Sequence, residues 1–239
     1  MKITYIGHSG FLVELQQVNI LFDYYTGEIP CLPTNKPLYI LVSHKHGDHF
    51  NPEIFRLEKM YSQVRFLLSY DIKITSFHLE KWKVNEEMKN KIISIKAHES
   101  YELEHFSLDT LKSTDCGVAF LIKAEGHTIY HAGDLNWWCW NEDSKQESHN
   151  MTANFKREIE RITDTPVDVA FLPLDPRQDN LYYQGMEYFI QNVQAKYVFP
   201  MHFWEDYAIC DRFLMEGHGK GTEAVVQSIH RVGESFTIM

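Results

Sequence analysis

The stretch Leu38-Tyr39-Ile40-Leu41-Val42-Ser43-His44-Lys45-His46-Gly47-Asp48-His49 decides the fold. Its first five residues are continuously apolar, the pattern of a short strand buried on both faces. That strand runs without a linker into three imidazoles and a carboxylate. Neutral imidazole and carboxylate are the usual ligands of zinc and other first-row divalent metals. At the carboxyl end of a strand His44 and His46 can point one way while the turn at Gly47 swings Asp48 and His49 around. That geometry suits two adjacent metal ions. The bland alternative is a solvated loop that happens to be rich in His. Four ligand-type residues in this order, directly after a buried strand, weigh against it.

Upstream, residues 2–6 and 11–15 read as strands around the turn Gly7-His8-Ser9-Gly10, and residues 19–22 as a third strand ending at Asp23. A loop with Pro30, Pro33 and Pro37 follows. Downstream, Asn51-Pro52 opens a helix to about residue 60, with Asn as N-cap and Pro at the first helical position. A strand at 64–68, a short helix at 71–78 and a strand at 91–95 come next. Residues 101–111, 117–123 and 127–131 read as a strand meander. Residues 137–150 are polar and aromatic without periodicity, and 154–162 look helical. Then come a buried strand at 167–172 ending at Pro173, a helix at 186–194, a strand at 196–200 and a helix at 207–215. Glycines at 217, 219 and 221 mark a loop before a closing strand at 235–239. The two halves share a weak similarity of order (strands, a His/Asp loop, a helix) that sequence does not demonstrate.

The composition is that of an ordinary globular chain: 239 residues, 44% hydrophobic and 23% charged, enough for a sizeable core in one large α/β domain over residues 1–239. Lys plus Arg number 23 and Asp plus Glu 33, a net charge of −10, which argues against a nucleic-acid-coating protein. Cys31, Cys116, Cys139 and Cys210 form no CxxC pair and suggest no disulfide framework, which fits a reducing cytosol. The first residues lack a signal-peptide pattern, and no run of about 18 apolar residues exists, so no membrane span is expected. A cytoplasmic location is the expectation.

His44-Lys45-His46-Gly47-Asp48-His49 resembles the HxHxDH motif of the metallo-β-lactamase superfamily. Residues 2–22 resemble that family's opening meander, and Asp23 the Asp that ends its third strand. The Gly-His-Ser-Gly turn resembles the branch of predicted zinc hydrolases that includes the ascorbate-phosphate lactonases. His131-Ala132-Gly133-Asp134 is similar to the family's GD motif, and Pro200-Met201-His202 to its last His. The resemblance implies a four-layered αββα sandwich, with two mixed β-sheets and helices on the outer faces. It also implies two divalent metal ions, zinc first, with Asp134 bridging them. One site would hold His44, His46 and Asp134, and the other Asp48, His49, Asp134 and His202. Turn and strand-end roles are the alternatives for Asp134 and His202.

The chain departs from the family where a third His is usual in the first site; the segment reads Ser113-Thr114-Asp115-Cys116-Gly117. Asp115 is the favoured substitute, with Cys116 and His105 as alternatives. A carboxylate there would harden the site toward manganese or iron. An empty or weaker first site is the other outcome.

Around these residues, Asp48 is expected to orient the attacking water as well as bind metal. His131 is read as a proton shuttle, a hydrogen-bond donor behind the ligands, or a buried strand residue. His8 either approaches the metals or caps a surface turn. Asp23 is read as holding a ligand His through its other ring nitrogen, or as a strand-end carboxylate. Asp175 and Arg177 follow a buried strand, where Arg177 clamps an anionic substrate or pairs with Asp175 or Asp179. Trp137, with Trp138 and Trp140, walls a cleft, buries an oligomer contact or packs its loop on the core.

The function expected is hydrolysis of an ester, lactone, amide or phosphoester bond of a small molecule. The alternatives are a degenerate, metal-poor binding protein, a diiron oxidoreductase and a nuclease. Diiron relatives carry an HxExD pattern and usually an attached flavin domain, and here the motif reads His46-Gly47-Asp48-His49. Nucleases on this fold generally carry a clamping domain for which this length leaves no room. The expected partner is a small-molecule substrate, with no nucleic acid or membrane and with a homo-oligomer plausible from exposed Trp and Tyr.

Overall fold

The computed structural model describes residues 1–238, in two compact units: Met1–Lys96 with the C-terminal segment from Val232, and Ala97–Arg231. Among the described residues no helix is long and apolar enough to cross a membrane.

The first unit is built on a seven-stranded mixed sheet. Its strands are β1 (Lys2–Gly7), β2 (Gly10–Glu14), β3 (Asn19–Phe22), β4 (Leu38–Val42), β5 (Val64–Ser69), β6 (Ile92–Ile95) and β14 (Ser235–Thr237). The order is β14-β1-β2-β3-β4-β5-β6. Neighbours from β14 to β3 are antiparallel, and those from β3 to β6 parallel. β4 is apolar throughout because parallel partners flank it and both its faces are buried. One face packs Ile6, Leu12, Leu21, Ile40, Val42 and Phe66 with Ile54 and Phe55 of a 3₁₀ helix, Pro52–Lys59. Helix α1 (Ser76–Trp82) follows β5, and its Trp82 ring stacks on Phe55 at 5.8 Å.

The second unit repeats the plan. Its strands are β7 (Ser100–Glu102), β8 (Ser107–Lys112), β9 (Val118–Ala124), β10 (His127–His131), β11 (Val167–Pro173), β12 (Ala195–Met201) and β13 (Val225–Val226), in the order β13-β12-β11-β10-β9-β8-β7. Strands β7 to β10 are antiparallel neighbours, and β10 to β13 parallel. The run from β8 to β13 thus has the same connections and directions as β1 to β6, and β7 flanks β8 as β14 flanks β1. The helices are α2 (Lys145–Glu160), α3 (Gln184–Asn192) and α4 (Ala208–Met215). The repetition of halves, only faint in the sequence, is a repetition of topology.

Several expected boundaries move. Helix α2 begins at Lys145, well before residue 154. Ser144 and Glu147 form a reciprocal capping box, but the first two turns lie on the surface and carry no apolar period. The 71–78 segment is a turn followed by α1, capped by Thr75, whose hydroxyl accepts from the His78 N–H. The 52–60 helix is 3₁₀. Residues 101–111 form two strands joined by a turn in which Leu103 N donates to Phe106 O. The two-residue edge strand β13 has no counterpart in the sequence reading. The closing strand spans Ser235–Thr237, and Met239 lies outside the described residues.

Candidate functional site

In the first unit the site is assembled at the carboxyl ends of parallel strands, the usual place for ligand chemistry in α/β sheets. Parallel pairing of β3 with β4 lets Asp23 N donate to Leu41 O at 2.9 Å, which lays the Asp23 side chain beside Ser43. The Asp23 carboxylate is fully buried. Oδ1 accepts from Ser43 N at 2.7 Å; Oδ2 accepts from Ser43 Oγ at 2.6 Å and from His49 Nδ1 at 2.7 Å. The hydrogen on His49 is therefore on Nδ1, and the Nε2 lone pair faces away from Asp23. Ser43 Oγ spends its one proton on Asp23, so at 3.0 Å it accepts from His44 Nδ1. The same logic leaves the lone pair of His44 on Nε2. One buried carboxylate thus sets two imidazole tautomers. Gly10 underlies this arrangement: a Cβ there would stand 3.2 Å from Asp23 O and 2.9 Å from Gly7 O.

His8 is buried and approaches Asp48, with Nε2 3.4 Å from Asp48 Oδ2, rather than capping a surface turn. Burial raises the Asp48 pKa, but the neighbouring imidazoles of His8 and His49 outweigh it and hold Asp48 well below the usual carboxylate range. The ligand atoms of His8, Asp48 and His49 lie within 4.8 Å of one another, as do those of His44 and His46. His8 and Asp23 both sit at positive φ, 53° and 39°, where non-glycine residues are uncommon and strain collects at functional positions.

In the second unit the turn after β10 carries Gly133, at φ 51°, and the buried Asp134. Thr114 stitches the 113–115 segment to this turn: its hydroxyl donates to Asn136 O at 2.6 Å and accepts from Asn136 N at 3.1 Å. This brings the Asp115 carboxylate within 4.8 Å of that of Asp134. Neither Cys116 nor His105 joins a group of ligand atoms among the described residues. Parallel pairing of β11 with β12 sets Asp175 beside His202, whose Nδ1 lies 2.9 Å from Asp175 Oδ2. Nε2 of His202 lies 3.4 Å from Asp134 Oδ1. Asp175 therefore does for His202 what Asp23 does for His49. Burial pushes the Asp175 pKa up, but hydrogen bonds from His202 and Arg177 bring it down to about 2. Like His8 and Asp23, His202 is held at positive φ, 65°.

Three sequence expectations take a different form. Arg177 turns its guanidinium to Asp175, with Nε 3.0 Å from both oxygens, and lies 4.7 Å over the Trp204 ring. The loop ion pair, not an open substrate clamp, is what the geometry shows, because the buried Asp175 needs a cation close by. Trp137 packs its loop on the helices, stacked on Phe155 at 5.9 Å and edge-on to Tyr188. Trp138 is instead the member of the trio beside the ligand residues. Its Nε1 donates to Asp134 O at 2.9 Å and its ring meets His202 edge-on at 5.4 Å. His131 has no exposed surface; its Nδ1 accepts from Gly133 N at 3.1 Å and its ring packs near Phe120 and Phe171. That is the placement of a residue shaping the Asp134 turn. Sequence reasoning passed over Ser43, whose only signal was its place between a buried strand and the first His. It also passed over Gln178, whose buried amide donates to Trp137 O and Cys139 O and ties down the Trp loop.

The chain belongs to the β-lactamase superfamily: the family described as "Beta-lactamase superfamily domain" matches residues 2–202. Its two mixed sheets with helices are the metallo-β-lactamase αββα fold. A relative from Desulforamulus reducens, named "UPF0173 metal-dependent hydrolase", is 33% identical over 145 residues, covering 56% of this chain and 62% of that one. Igni18, described as a novel metallo hydrolase from Ignicoccus hospitalis, superposes with a TM-score of 0.62 at 18% identity, over 100% of this chain and 99% of its own. CmlA, a diiron β-hydroxylase from Streptomyces venezuelae, superposes with a TM-score of 0.62 at 12% identity, over 99% of this chain and 54% of its own. At these identities the two structures speak for the fold and not for the reaction.

Proposed function

We propose that this protein is a metal-dependent hydrolase of a small molecule, acting on an ester, lactone, amide or phosphoester bond. The supporting observation is the orientation of the imidazoles. Ser43, Asp23 and Asp175 engage Nδ1 of His44, His49 and His202, the arrangement that leaves Nε2 to bind a cation and raises its basicity. The donor set is nitrogen and carboxylate oxygen, which fits zinc, with manganese or iron favoured further if Asp115 serves in place of a third imidazole. By the family resemblance, His44, His46, Asp115 and Asp134 would hold one ion, and Asp48, His49, Asp134 and His202 a second.

When bound, such ions supply a water of near-neutral pKa and polarise the scissile bond. The chain's own part is to hold and exclude. Asp48 stays ionised across the working range and can accept a hydrogen bond from the attacking water, fixing its direction. His8 Nε2 stands against Asp48 and limits its rotation. Trp138 and Trp204 cover His202 with aromatic surface and keep bulk water from its ring. A small-molecule substrate, rather than nucleic acid or membrane, is part of the proposal, as are a cytoplasmic location and a homo-oligomer.

The test is hydrolysis of generic esters, lactones and bis-phosphodiesters with and without chelator. Chelation and Asp134→Ala should each abolish activity. Activity that survives both would overturn the mechanism. A metal-loaded protein with visible iron absorption and no hydrolysis would instead favour oxidative chemistry.

A further inference from the structure

Beside the ligand-bearing turn, the first unit holds a cavity of about 380 Å³, within the size range of small-molecule sites. Lys45, Phe50, Asp71, Lys73, His78 and Trp82 line it. Two of these, Lys45 and Phe50, belong to the chain segment that carries His44, His46, Asp48 and His49. Phe50 N donates to His46 O at 2.9 Å, so cavity wall and ligand turn are one piece of backbone. The apolar wall is aromatic: Phe50 meets Trp82 edge-on at 5.3 Å, and His78 lies against Trp82 at 5.4 Å. Thr75 Oγ1, 2.8 Å from His78 Nδ1, holds that ring.

Charge and hydrogen-bond capacity say what would fit. Two lysines face one carboxylate, a local excess of positive charge on a chain of net charge −10. Neither ammonium has an ion-pair partner among the described residues. Asp71 Oδ2 accepts from Lys45 N at 3.3 Å, but Asp71 Oδ1 is buried without a partner. A buried acceptor left without a donor is costly, and a ligand O–H or N–H would relieve that cost.

We infer that this cavity binds a small aryl anion that carries a hydroxyl or amino group. The ring lies on Trp82 and Phe50, the anion meets Lys45 and Lys73, and the donor reaches Asp71 Oδ1. Resting on the hydrolase reading, this is the non-reacting part of its substrate, held by binding energy remote from the bond that breaks.

The test is calorimetric titration of the intact, metal-loaded protein with 4-hydroxyphenylacetate, phenylacetate, phenol and inorganic phosphate. The first should bind best. Lys73→Glu, a surface change that leaves the fold intact by thermal melting, should weaken it about fivefold, the scale of an exposed ion pair. Asp71→Asn should erase the preference for 4-hydroxyphenylacetate over phenylacetate. Inorganic phosphate, which can coordinate metal directly, should respond to neither change. Equal binding of phenol and 4-hydroxyphenylacetate, or affinity unmoved by Lys73→Glu, would overturn the inference. Metal-dependent hydrolysis without binding here would overturn this site and leave the hydrolase standing. Binding here without any hydrolysis would do the reverse.

Discussion

Asp23→Asn is the most telling perturbation, because it changes no volume and one charge. The carboxylate receives three donors: Ser43 N on Oδ1, and Ser43 Oγ and His49 Nδ1 on Oδ2. An amide has a single oxygen. Whichever way the substituted side chain is turned, its NH₂ faces at least one of those donors. If it faces Oδ2's former partners, His49 must move its proton to Nε2 to keep a bond, and the nitrogen offered to a metal is lost. If it faces Ser43 N, a fully buried backbone N–H is stranded. One or two unsatisfied buried groups cost about 3 kcal/mol in total. For a chain of this size that lowers Tm by about 6–12 °C. Metal affinity should fall about 10- to 100-fold, the usual effect of removing a hydrogen-bond partner behind a ligand His. Calorimetric melting gives the first quantity, and competition with a chromophoric chelator the second. A melting point lowered as expected with metal affinity unchanged would refute the tautomer argument and leave Asp23 a purely structural residue.

Other consequences are open to the same kind of check. Asp175 has a folded pKa of about 2, below its unfolded value of about 3.9. Its contribution to stability is therefore complete above about pH 4 and lost as pH falls toward 2. Asp175→Asn should flatten that part of an acid-melting profile, and an unchanged profile would contradict the assignment. Asp115→Ala should lower bound metal by one equivalent in elemental analysis, whereas an unchanged count would remove Asp115 from the ligands. Gly185→Ala should destabilise by about 1–3 kcal/mol, the scale of overpacking. Its Cβ would sit 1.9 Å from Asn136 Oδ1 and 3.0 Å from Trp137 N, pressing on the turn after Asp134. A variant melting like the parent would show that this loop yields freely.

Much of this protein was legible along the chain because the information was local. The continuous apolar run of β4 announced a doubly buried strand. Four ligand-type residues directly after it announced metal chemistry, and short turns at Gly133-Asp134 and before His202 fell at strand ends. Asn51-Pro52 marked a helical start for the same reason, since capping involves only neighbouring residues. The α2 start was harder. Its Ser144/Glu147 capping box is local too, but the first two turns are solvent-exposed and lack the apolar period that would have drawn attention to it.

Tertiary structure decided what depended on distant strands lying side by side. Asp23 reaches Ser43 and His49, and Asp175 reaches His202, only because β3 pairs with β4 and β11 with β12 in one register. A shift of a single residue would turn those carboxylates to the opposite face. The same cause settled Arg177, whose guanidinium could be read along the chain as free for substrate until the buried Asp175 was seen to hold it. It also selected Trp138 over Trp137 as the ring beside His202, a choice made by which indole the Gln178-pinned loop turns inward. Sequence determined which chemical groups the protein owns and the strand ends that bear them. Only the pairing of strands far apart in the chain determined which nitrogen of His44, His49 and His202 carries the proton, and a metal site depends on that.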